Sequence, residues 1–118
     1  MSGELTVSAR TQAWLWIAQR ASAVVLGLCV LVHLCTIIYA VRGGLSAAEI
    51  LGRTRGNGAW LVFYSVFVVA AAVHVPVGLR AILAEWFGWR SASRDIALWL
   101  FAGILAVTGM RAVVGVFA

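Results

Sequence analysis

Two stretches of 21 residues, 21–41 and 59–79, contain no Asp, Glu, Lys or Arg. As helices rising about 1.5 Å per residue, each reaches roughly 31 Å, the thickness of a bilayer's hydrocarbon layer. A chain of 118 residues has no interior large enough to cover two such helices on every side, so their solvent must itself be apolar. Composition agrees: 64% of residues are hydrophobic and 11% charged, against about 45–50% and about 25% in soluble domains. The mean hydropathy is +1.02. Disorder, coiled coil and collagen are excluded, and the length leaves room for three spans and no separate catalytic domain.

The expected fold is an all-α membrane protein with three transmembrane helices, at approximately 14–41, 59–86 and 94–116, forming one domain over 1–118. Trp14 and Trp16 anchor the first span, and Arg42-Gly43-Gly44 ends it. Ser46-Ala47-Ala48-Glu49 has capping-box spacing and predicts a short interfacial helix. The second span enters at Trp60, passes Arg80 and turns at Gly88, and Ser93 is the expected N-cap of the third. That third span has 15 uncharged residues, 96–110, before Arg111. They make roughly 22 Å of helix, so Arg111 is expected to snorkel while 112–118 complete the crossing. The first apolar run is too long for a cleavable leader.

All nine basic residues are Arg, and they give a net charge of +5. They stand at the ends of apolar runs, which points to lipid headgroups, an anionic cofactor or acidic partners, and not to nucleic acid. Arg10, Arg20, Arg80, Arg90 and Arg94 fall on the N-terminal side and Arg42, Arg53, Arg55 and Arg111 on the other. This small excess favours a cytoplasmic N-terminus. Cys29 and Cys35, about 9 Å apart in helical rise, cannot form a disulfide and read as packing residues.

Both histidines, His33 and His74, lie inside spans. Imidazole at membrane depth serves as a haem ligand, a proton relay or an interhelical hydrogen-bonding group, and the spacing alone leaves all three open. With Arg20 and Arg80 as markers of one interface, His33 is expected roughly 19 Å deep and His74 about 9 Å. Axial ligands of one haem meet at one iron, so a difference of about 10 Å in depth places the two histidines on separate haems, if both are ligands. Gly78, one turn beyond His74, either admits a flat macrocycle or packs a helix. Pro76 is expected to kink the second span. Arg20 and Arg80 suit haem propionates, a quinone carbonyl or lipid phosphate. No carboxylate lies mid-span, which disfavours a proton-coupled transporter, and Ala102 and Ala106 form a small-xxx-small pair.

Gln19-Arg20-Ala21-Ser22, together with His74-Val75-Pro76-Val77-Gly78-Leu79-Arg80 and Glu85, resembles the cytochrome b membrane-anchor subunits of succinate dehydrogenase and fumarate reductase. The likeness covers roughly residues 14–90. It implies that His74 ligates haem b and that Arg20, with Ser22 and Arg80 in the same motifs, lies near haem propionate and quinone. Where many members have a quinone-contacting Ser, this chain has Trp16. His33 matches the first-span histidine that ligates a second haem in two-haem members. The resemblance further implies a multi-subunit helical bundle in a bacterial or archaeal cytoplasmic membrane. The implied partners are a second small anchor that completes the haem ligation, an iron–sulfur subunit and a flavoprotein, with electrons passing between succinate or fumarate and quinone. A haem-free anchor, a cytochrome b subunit of another dehydrogenase and a small membrane transporter are the alternatives.

Overall fold

A computed structural model describes residues 8–118, which form four helices: α1 (Ala9–Arg42), α2 (Ala47–Thr54), α3 (Gly58–Phe87) and α4 (Ala92–Phe117). The three long helices are each long and apolar enough to cross a membrane. Helix α1 has 34 residues, about 51 Å of helix, and so extends beyond the hydrocarbon layer. It starts at Ala9, well before Trp14, because Ser8 caps it by accepting from the Thr11 N–H.

Helix α3 is the centre of the fold, with α1 packed on one side of it and α4 on the other. Only five hydrophobic side chains are buried among the described residues: Cys29, Ala70, Ala84, Leu98 and Val113. Most large apolar side chains on the three spans face outward, as a hydrocarbon solvent permits. Cys29 is buried as a packing residue, whereas Cys35 is exposed, and both are free thiols.

In the α3–α4 contact, a Cβ added at Gly109 would stand 2.7 Å from a Val68 methyl. Leu98 and Val113 lie buried along the same stripe of α4, and Ala102 and Ala106 are half-buried beside it. Helix α3 runs unbroken through the buried Pro76, and Gly88, at φ 64°, closes it. Beyond it, the Trp89 N–H donates to the Leu83 carbonyl. Helix α4 starts earlier than expected. Its N-cap is Ser91 and not Ser93, and no side chain caps its amides, because the Ser91 and Ser93 hydroxyls bond each other and the Trp89 indole N–H.

At the opposite end, α2 carries the capping box. The Ser46 N–H donates to the Glu49 carboxylate at 2.6 Å, and the Glu49 N–H donates to Ser46 Oγ. The bond from the Ser46 N–H above all, and after it the Ser46 hydroxyl, hold the Glu49 carboxyl below its usual range. Helix α2 then closes onto the end of α4: Thr54 Oγ1 donates to the Val116 carbonyl at 2.8 Å and the Gly56 N–H to the Phe117 carbonyl at 2.9 Å. Two carbonyls that a helix end leaves open are thereby satisfied by the loop.

Candidate functional site

Both histidines point into the seam between α1 and α3, and each meets a hydroxyl on the facing helix. His74 Nδ1 lies 3.4 Å from Ser22 Oγ, and His33 Nδ1 lies 3.2 Å from Tyr64 Oη. Because α1 and α3 are antiparallel, the register that pairs Ser22 with His74 also brings Gln19 to Gly78. The same register carries His33 to Tyr64.

This ladder fixes relative depth. Ser22 and His33 are separated by about 16 Å along α1, and Tyr64 and His74 by about 15 Å along α3. The separation exceeds the expected 10 Å because Arg20 and Arg80 are not level. Gln19 faces Gly78, which leaves Arg80 about one helical turn nearer the chain's N-terminal end than Arg20. Two imidazoles so far apart cannot meet on one iron.

The surroundings of the two rings differ. His74 borders an open apolar groove lined with Ala23, Gly27 and Leu31 of α1. A Cβ at Gly27 would have nothing within 4 Å, so Gly27, together with Ala23 one turn before it, leaves the helix surface flat beside the imidazole. No hydrogen bond forms at His74 Nε2 among the described residues. An imidazole with one nitrogen bonded and the other bare beside a flat apolar wall can supply one axial ligand to a macrocycle. Among the described residues no three His, Cys, Asp or Glu side chains come together.

His33, by contrast, stands edge-on to Tyr64 and Phe67, with ring centroids 5.6 and 5.8 Å away. Those rings belong to a cluster on α3 in which Trp60 stacks on Tyr64 and Phe63 packs against its neighbours. This is a packed aromatic nest.

Gly78 lies against α1. A Cβ there would meet Gln19 Nε2 at 3.0 Å, so the space at this glycine is filled by a side chain of the same protein. The Gln19 carbonyl oxygen, Oε1, is buried without a partner. Arg20 is exposed, with its guanidinium 5.4 Å from the centroid of the Trp16 ring, a cation–π pair at the N-terminal end of the seam.

Arg80 has a partner that the sequence reading did not find. Asp95, in the first turn of α4, lies 3.4 Å from Arg80 and 2.9 Å from the buried Arg94, whose guanidinium also donates to the Trp89 carbonyl. One carboxylate thus ties α3 to α4 on the N-terminal side. The signal for this triad was the charge order Arg80, Arg94, Asp95 around a turn, which shows proximity only once Gly88 is known to reverse the chain. Tyr64 was missed because no local motif links it to His33.

A family model described as "Succinate dehydrogenase/Fumarate reductase transmembrane subunit" matches residues 2–110. No curated protein and no solved structure matches the chain.

Proposed function

We propose, from the premise that this chain belongs to the succinate dehydrogenase/fumarate reductase transmembrane subunit family, that it is the haem b-binding anchor of a succinate:quinone oxidoreductase. It docks the flavoprotein and iron–sulfur subunits at a bacterial or archaeal cytoplasmic membrane, with its N-terminus on the cytoplasmic side. It takes part in electron transfer with quinone and does not itself act on succinate. A second small anchor supplies the opposing axial ligands.

The observation that supports this reading is His74, hydrogen-bonded at Nδ1, bare at Nε2 and bordering a groove flattened by Ala23 and Gly27. Bound there, haem b supplies a one-electron carrier inside the low-dielectric layer. Arg20 brings a cation, braced on Trp16, to the same end of the seam, where it suits a propionate or a quinone carbonyl. Arg80 is held by Asp95 and offers the same end a guanidinium of fixed position. His33 is assigned to a second haem, nearer the α2 side.

A haem-free anchor is the second reading. It is favoured by the hydroxyl that each histidine already meets, which is how a purely structural histidine satisfies itself in a bundle. The two are separated by a dithionite-reduced minus oxidised spectrum of the purified complex, with haem counted per copy of this chain. The haem reading expects a b-type spectrum from which His74→Ala removes the haem that His74 ligates. No haem in the wild-type complex, or full retention in His74→Ala, overturns it.

A further inference from the structure

We infer that Ser22 is a positioning residue for His74, setting which imidazole nitrogen carries the proton and so leaving Nε2 free to ligate; this rests on the haem reading above. Ser22 is one of only two buried polar or charged side chains among the described residues, at 7% exposure. Its hydroxyl has two neighbours. The Gln19 backbone carbonyl lies at 3.1 Å and accepts the hydroxyl proton; His74 Nδ1 lies at 3.4 Å. A serine has one proton to donate and lone pairs to accept with. With that proton on the shorter contact, the Ser22 oxygen faces His74 as an acceptor only.

The consequence for the ring follows from the chemistry of neutral imidazole, in which one nitrogen donates and the other carries a lone pair. Nδ1–H donates to Ser22, and the lone pair resides on Nε2, the nitrogen with no partner among the described residues. The bond also fixes the rotation of the ring, since Ser22 sits on α1 and His74 on α3. A donor bond at the far nitrogen raises the basicity of a ligating imidazole, and loss of such a bond weakens metal binding about 10- to 100-fold. His33 lacks this one-way arrangement. Tyr64 Oη has no second partner among the described residues, so nothing there decides which of the two donates.

The test compares Ser22→Ala, Ser22→Thr and His74→Ala in the assembled complex. The readouts are the haem midpoint potential, the low-spin ferric electron paramagnetic resonance signal and the rate of haem loss to a scavenging apoprotein. Ser22→Ala removes the acceptor while keeping a small side chain. It should raise the midpoint potential, because a less basic imidazole stabilises ferric iron less, and should speed haem loss about 10-fold or more. Ser22→Thr keeps the hydroxyl and should restore both towards wild type. An unchanged potential, signal and rate of loss in Ser22→Ala, with the His74 haem lost in His74→Ala, overturns the role of Ser22 while leaving the haem reading standing. Full haem in His74→Ala overturns the haem reading itself. Equal haem loss in the alanine and threonine variants would show a packing role only and would also overturn the inference.

Discussion

The two histidines share a seam, a pair of helices and a hydroxyl partner each, yet they occupy different chemical settings. His74 has a serine whose proton is already committed to a backbone carbonyl, and a flat groove on its open side. His33 has a tyrosine free to donate or accept, and rings packed edge-on against it. The difference teaches that depth within a membrane identifies a histidine worth attention, whereas the second partner of its hydrogen-bonding neighbour decides what that histidine is prepared to do.

The strongest way to break this contrast is to delete each ring in turn. His74→Ala should remove the b-type component that His74 ligates and leave the His33 component; His33→Ala should remove the second component and leave the His74 signal intact. Loss of the same component from both variants would erase the distinction.

A second test uses the far side of α3. Gly109→Leu forces a side chain into Val68, beside Phe67 of the aromatic nest, and should cost about 2–3 kcal/mol of stability. Thermal unfolding in detergent measures that loss, and any spectral change should appear in the His33 component before the His74 component.

Asp95→Asn acts at the other end. It leaves Arg80 and the buried Arg94 without their shared carboxylate. Asp95 is 35% exposed, so solvent screening reduces the cost to about 1–2 kcal/mol. The loss should be readable in the same unfolding experiment, with the His33 environment unchanged.

Tyr64→Phe keeps the aromatic packing and deletes one hydroxyl, at about 1 kcal/mol. It should shift the potential of one haem component only. A shift in the His74 component would show that the two sites are coupled.

The smallest effect is at α2, remote from both rings. Because hydrogen bonds lower the Glu49 carboxyl, its capping contribution is complete above the ordinary glutamate range and is lost only as pH falls through the depressed folded value. Amide protection of 47–54 should therefore be the same at pH 7 and pH 5, and should fall under stronger acid.

Much of the fold was legible in the sequence because the strongest signals were local. Uncharged runs of membrane length give spans, Ser46 with Glu49 gives a cap, and Gly88 gives a left-handed stop. The start of α4 was misplaced by two residues because three hydroxyl- or indole-bearing side chains, Trp89, Ser91 and Ser93, form their own network and leave the helix uncapped.

The site was legible only in part. His33 and His74 stand out by depth, but Tyr64 and Asp95 become partners through the antiparallel register and the chain reversal, which no short motif encodes. The same register explains the error in depth. Two arginines near an interface do not mark one plane when long side chains let their backbones differ by a turn.

The central position of α3 also has a consequence for how the protein is made. Both histidines and the hydroxyls they meet lie between Gln19 and Gly78, and α4 touches the other side of α3. Synthesis proceeds from the N-terminus, so the seam is complete as a pair of helices before the last span leaves the ribosome. Helix α4 then arrives as a brace, clasped at one end by Asp95 and at the other by the loop after α2.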